Sequence, residues 1–152
     1  MIEEFTIAEE RLDSPDSQRL LGELEADLRS RYGGEEHPWV KPSPLEVAAF
    51  LVARGRNGHP LGCIALRRRE DGSFEIKRMY VRPEARGRRL GDRLLAAVEE
   101  RARRLGAARV KLETGVPQPE AMAVYERNGY HPIRPFGDYK DSPLSRCYAR
   151  EL

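Results

Sequence analysis

The spacing of apolar residues changes period several times along this chain, and each change predicts an element. Glu4 to Arg11 alternates weakly, which predicts a first strand. Ser14-Pro15-Asp16 supplies a polar cap and a first-turn proline, and Leu20, Leu21, Leu24 and Leu28 follow at helical spacing until Tyr32-Gly33-Gly34. The stretch 35–44 holds three prolines and the only tryptophan and predicts a loop. Ala48 to Ala53 and Leu61 to Leu66 are apolar runs separated by Asn57-Gly58, a hairpin signal. After the Glu70-Asp71-Gly72 turn, Phe74 to Val81 alternates. Phe74, Ile76, Arg78 and Tyr80 are expected on one side, with Glu75, Lys77, Met79 and Val81 on the other.

The pattern then turns helical. Leu90, Leu94, Ala97, Val98, Ala102 and Leu105 form one stripe, with arginines opposite and Gly106 as the stop. Val110, Leu112 and Thr114 alternate as a strand. A short helix opens at Pro119, carries Ala121, Val124 and Tyr125 inward and ends at Gly129, and Leu144 to Arg150 predicts a last strand. The strand-helix-strand unit from Phe74 to Thr114 should be parallel, while the three strands before it form an antiparallel meander. The expected fold class is α/β (α+β), with a mixed, mostly antiparallel sheet flanked by helices.

Composition narrows the function. At 152 residues, one domain covering 1–152 is expected. Charged residues reach 34%, yet 27 basic residues against 25 acidic ones leave a formal charge of +2. Balanced charge and the lack of interleaved aromatics argue against a nucleic-acid binder. Cys63 and Cys147 are the only cysteines, and neither they nor His37, His59 and His131 stand at metal-ligand spacing, so no metal is expected. No apolar run approaches a membrane span and the N-terminus is acidic, so a cytoplasmic protein with reduced thiols is expected.

The informative segment is Met79-Tyr80-Val81-Arg82-Pro83-Glu84-Ala85-Arg86-Gly87-Arg88-Arg89-Leu90-Gly91-Asp92. A strand runs into a glycine loop, and a helix begins at once. Amides at a helix start lack intrahelical partners and the dipole favours an anion there, so the arrangement can cradle a pyrophosphate. Taken alone, such a segment is more often a solvated, arginine-rich connection. It matches neither GxxxxGK[ST] nor GxGxxG.

Arg86-Gly87-Arg88-Arg89-Leu90-Gly91 resembles the [Q/R]-x-x-G-x-[G/A] signature of the GNAT superfamily of N-acetyltransferases, preceded by M-x-V-x-P-x-x-R. The resemblance continues through Leu112-Glu113-Thr114-Gly115, Gln118-Pro119-Glu120-Ala121 and Val124 to Tyr130, spanning about Leu61 to Ile133. Two positions depart from the pattern: Arg89 stands where the signature has its middle glycine, and Gln118 where an asparagine is frequent.

The resemblance implies a sheet with a splayed strand pair, acetyl-CoA as acyl donor and an amine as acceptor. Met79, Tyr80 and Val81 would hold the pantetheine arm by their backbone. The amides from Gly87 through Arg88, Arg89, Leu90, Gly91 and Asp92 would hold the pyrophosphate, with charge from Arg86. Gln118 would touch the cofactor from the other side. An ammonium must lose a proton before attacking the thioester, and the leaving thiolate must gain one. By the resemblance Tyr125 is the general acid. Glu75, four residues before Met79 and so on the same side of the strand, is the possible base; Glu113 and ordered water are the rivals. A non-catalytic acyl-CoA-binding module is the alternative function.

For the acceptor, a small molecule is favoured over a protein, with the chain a monomer or homodimer. Glu35, Glu36, Asp138 and Asp141 in two loops would suit a cationic amine. Trp39 and Phe136-Gly137-Asp138-Tyr139 are candidate linings of its pocket.

Overall fold

The computed structural model describes residues 5–33 and 47–152. The expected loop with Glu35, Glu36, His37 and Trp39 lies outside the described residues. The elements are β1 (Thr6–Glu9), α1 (Pro15–Tyr32), β2 (Val47–Arg54), β3 (Pro60–Arg68), β4 (Phe74–Val81), α2 (Leu90–Arg104), β5 (Arg109–Gly115), α3 (Pro119–Arg127), β6 (His131–Ile133) and β7 (Ser145–Glu151). They build one seven-stranded sheet in the order β1-β2-β3-β4-β5-β7-β6. Only β4 and β5 run parallel; every other pair is antiparallel. No helix among the described residues is long and apolar enough to cross a membrane.

Local chemistry fixes most element ends as expected. Ser14 caps α1, its hydroxyl accepting from the Ser17 amide at 3.1 Å, and Gly33 ends it in the left-handed region. Leu20, Leu21 and Leu24 bury the α1 stripe against Phe50, Val52, Cys63, Ala65 and Tyr80 on one face of the sheet. The opposite face carries Leu51, Ile64, Leu66, Ile76 and Leu112, covered by Leu90, Leu94, Leu95 and Val98 of α2 and Tyr125 of α3. Both cysteines are buried and unpaired.

Two features depart from the expected pattern. His131 opens an additional three-residue strand, β6, an edge strand on β7 that is too short for a period and contains Pro132. More consequential, the alternation of β4 is broken. Cys63 pairs with Tyr80 and Ala65 with Lys77, so Arg78 and Met79 together face Ile64 alone. This is a β-bulge. Arg78 takes φ 57°, a conformation that costs a non-glycine residue about 1–2 kcal/mol. Its carbonyl accepts the Cys63 thiol at 3.3 Å. The extra residue reverses the parity beyond it. Phe74, Ile76, Met79 and Val81 meet the α2 core, whereas Tyr80 meets the α1 core. Glu75 therefore does not share a side with Met79, contrary to the uninterrupted alternation.

The parallel pair is brief. Phe74, Ile76 and Glu75 register with Val110, Leu112 and Lys111, and no rung follows. Beyond Ile76 and Leu112 the two strands diverge, leaving a seam with a closed end and an open end.

Candidate active site

At the open end of the seam lies a cavity of about 530 Å³, within the roughly 300–1,000 Å³ of cofactor sites. Its walls are Leu24, Asp27 and Arg31 of α1, the end of β4, the loop into α2 with the first turn of that helix, and one side of α3 as far as Arg127. Of the eleven residues that the sequence singles out for the cofactor, Met79, Tyr80, Val81, Arg86, Gly87, Arg89, Leu90, Gly91, Asp92 and Gln118 line it, and Arg88 does not. The α1 wall has no signal in the sequence. It is fixed by Arg31, which reaches Asp27 at 2.9 Å and crosses to Glu120 of α3 at 2.8 Å.

The loop geometry follows from two left-handed residues. Gly87 has φ 80°, a value that favours glycine, and Arg89 has φ 62° as the residue before α2. Arg89 thus adopts the conformation that the glycine of the signature would take without strain. It makes no side-chain cap hydrogen bond. The first amides of α2 consequently face the cavity as donors, the arrangement that suits an anion. A side chain at Gly91 would find ordinary contacts, with its Cβ 3.7 Å from Val124 and 4.0 Å from the Met79 sulfur, and would project into the cavity.

Side chains brace this end without filling it. Arg86 donates to the Val81 carbonyl at 2.9 Å. Arg82 grips Glu23 of α1 through two contacts of 3.0 Å. The Asp92 carboxylate is held by Arg127 and Asn128, and chiefly the Arg127 hydrogen bond pulls its pKa down to about 2. At the far wall Gly115 packs so tightly on Tyr32 that a methyl group there would collide with the phenol oxygen, which also accepts from Gln118 at 3.1 Å.

Tyr125 is buried behind the cavity, 5.9 Å from the Tyr130 ring and 6.3 Å from the Tyr148 ring. Burial lifts its phenol pKa well above the ordinary value, and the charge of Glu113 pushes the same way. The group stays protonated at neutral pH and is close enough to feel Glu113. Glu113 lies one residue past the last rung, accepts from Ser145 at 2.7 Å, and also acts electrostatically on Lys77, its counterpart on β4. Thr114, its neighbour, keeps a buried hydroxyl without a hydrogen-bond partner among the described residues.

Glu75 sits at the closed end and is 1% exposed. One carboxylate oxygen accepts from Arg69 at 2.8 Å and the other from the Tyr139 hydroxyl at 2.9 Å. Lys77 and Arg67 stand at 3.8 and 3.9 Å. The Phe136–Tyr139 loop therefore closes over this charge cluster, with Tyr139 buried and Asp138 exposed, as is Asp141 beyond it. Tyr139 belongs to the loop singled out as a candidate acceptor lining, whereas Lys77 and Lys111 had no distinguishing signal in the sequence, because their meeting depends on strand register and on the loop's return.

A model of the acetyltransferase (GNAT) family matches residues 12–130. An IAA acetyltransferase of Azospirillum brasilense is 38% identical over 137 residues, 88% of this chain and 89% of that protein. A Klebsiella pneumoniae crystal structure assigned as an acyl-CoA N-acyltransferase superposes with TM-score 0.84 at 33% identity, covering 97% of both chains. A GNAT family acetyltransferase of Elizabethkingia anophelis, crystallised with acetyl-CoA bound, shares the fold with TM-score 0.72 at 18% identity over 97% of this chain and 98% of that one.

Proposed function

Because the chain belongs to the GNAT acetyltransferase family and is an acyltransferase, we propose that it moves the acetyl group of acetyl-CoA onto an amine by direct attack. The observation that carries this is the row of uncapped amides at the start of α2, opening on a 530 Å³ cavity at the parted strands. The pyrophosphate lies over Arg86 to Asp92, and the pantetheine arm runs along the backbone of Met79, Tyr80 and Val81. The acetyl thioester then points down the seam toward Tyr125.

In the reaction the amine nitrogen bonds to the thioester carbonyl carbon, the carbon–sulfur bond breaks, the leaving thiolate takes the Tyr125 proton, and the proton that the nitrogen sheds on becoming an amide restores the phenol. Burial keeps that phenol protonated at neutral pH, so it holds a proton to give. The ammonium proton leaves first, and Glu113 is its best-supported acceptor. Glu113 flanks the parting strands and its charge reaches Tyr125. Glu75, by contrast, has both oxygens engaged by Arg69 and Tyr139. Its position supports a role as counter-charge to the surrounding cations. Two buried, unpaired thiols support a reducing, cytoplasmic setting.

Gly91→Val tests the cradle. A Cβ at Gly91 meets only ordinary contacts, so the fold should persist while acetyl-CoA binding, measured by calorimetry, weakens at least about tenfold through lost backbone approach. Unchanged affinity would remove the pyrophosphate from the start of α2.

A further inference from the structure

Three cationic side chains at the closed end of the seam share one buried carboxylate, and a fourth lies beside them. Arg69 holds Glu75 at 2.8 Å, Lys77 stands at 3.8 Å and Arg67 at 3.9 Å. Lys111 is register partner to Glu75 on β5, hence on the same face of the sheet. It makes no ion pair among the described residues; its ammonium rests 4.3 Å from the centre of the Phe136 ring, where Arg69 also stacks at 5.1 Å. Asp71, the next carboxylate near Lys111 and Arg69, is engaged by the Ser73 amide at 2.9 Å and hydroxyl at 2.6 Å. Lys77 is deeply placed, donating to Tyr139 at 2.9 Å, and burial draws its pKa below the ordinary value despite the nearby Glu75. Half-buried cations in excess of anions carry a desolvation cost that an incoming anion offsets.

The position of this excess matters. Glu113 and Lys77 flank the parting strands, and Glu75 and Lys111 lie one two-residue repeat deeper, roughly 6–7 Å along the strands. Building on the acetyl-transfer reading, we propose that the acceptor is a small zwitterionic amine: its ammonium is received at Glu113 and its anionic group, a carboxylate or phosphonate, at Lys77, Lys111 and Arg69. The 6–7 Å repeat suits an anion several bonds from the amine rather than on the adjacent carbon. The ammonium end is the one deprotonated and acetylated; the anionic end is unchanged by the reaction. The cationic cluster thus selects within amines, where the exposed Asp138 and Asp141 alone would have suggested an acceptor of purely positive charge.

Steady-state thiol release with matched amines tests this: 4-aminobutyrate and 3-aminopropylphosphonate against n-butylamine. The expected result is a kcat/KM at least about tenfold higher for both zwitterions, the size of a charge-assisted contact. In Lys111→Gln that ratio should fall severalfold toward one, and Lys111→Arg should restore it. A ratio near one in the unaltered enzyme, or a Lys111→Gln variant that keeps the ratio or slows all amines alike, would overturn the anionic subsite while leaving acetyl transfer standing. A preference for only one of the two zwitterions would still support the subsite and identify its oxyanion. Absence of thiol release with any amine, by protein that binds acetyl-CoA, would instead remove the transfer reaction and the subsite with it.

Discussion

The two ends of the β4–β5 seam use opposite chemistry. The open end is a cavity walled by apolar side chains and backbone donors, its nearby charges tied off in pairs such as Arg82 with Glu23 and Asp92 with Arg127. The closed end is packed with charged side chains under an aromatic loop. A site built from amides tolerates change in side-chain identity, because geometry alone supplies its donors. A site built from side chains depends on which face each residue takes, and one bulge decides that.

The largest expected effect lies between the two ends. Tyr125→Phe should lower turnover by about 10²–10⁴, the usual contribution of a general acid, with acetyl-CoA affinity nearly unchanged. Turnover and calorimetric binding on the same variant check it. Normal turnover would return Tyr125 to the aromatic packing with Tyr130 and Tyr148.

The two glutamates should then separate. Glu75→Gln leaves Arg69, Lys77 and Arg67 without a buried counter-charge and should cost about 3–5 kcal/mol in a denaturant titration. Glu113→Gln should instead slow the reaction near neutrality by about 10²-fold and recover part of the rate at alkaline pH, where free amine is abundant. If Glu75→Gln shows the alkaline recovery and Glu113→Gln does not, the two roles must be exchanged. Flat profiles in both would leave the proton to water.

A smaller effect concerns the brace behind the cradle. Asp92 has its pKa lowered to about 2 by Arg127, so its contribution to stability is full above the ordinary carboxylate range and is lost as pH falls through about 2. Asp92→Asn should destabilise by about 1–2 kcal/mol at neutral pH, and the difference from the parent should vanish in acid. A pH-independent difference would mean that the Asn128 contact, not charge, holds α3 to α2.

The smallest effect is a gain. Arg89 occupies the left-handed region at φ 62°, and Arg89→Gly should relieve about 1 kcal/mol of backbone strain, partly cancelled by the looser unfolded chain. Thermal melting should rise by a degree or two; a fall would assign the Arg89 side chain a stabilising contact.

These contrasts also explain what the sequence made legible. The cradle and nine of its lining residues follow from one contiguous motif, and α1 from a cap, a proline and a leucine stripe, because each signal is local. The placement of Glu75 failed for a physical reason. Arg78 enters the left-handed region without glycine or asparagine to announce it, so the parity of β4 beyond Lys77 could not be read. Lys111, Tyr139 and the Arg31–Glu120 bridge join segments far apart in sequence, and no local pattern encodes such meetings.

The three-rung seam has a mechanical consequence. Four strands from β1 to β4 form one panel and β5, β7 and β6 another, welded along Phe74–Ile76 and Val110–Leu112 and strapped by the crossover helix α2. Backbone groups on the facing edges beyond the weld have no partner strand across the gap. With the pantetheine arm where we propose it, the arm would act as a splint between the panels, its arrival stiffening the halves against each other and its departure as free thiol loosening them. Each turnover would then be a cycle of clamping and release in which the amides along the parted edges alternate between shielded and solvent-exchangeable states.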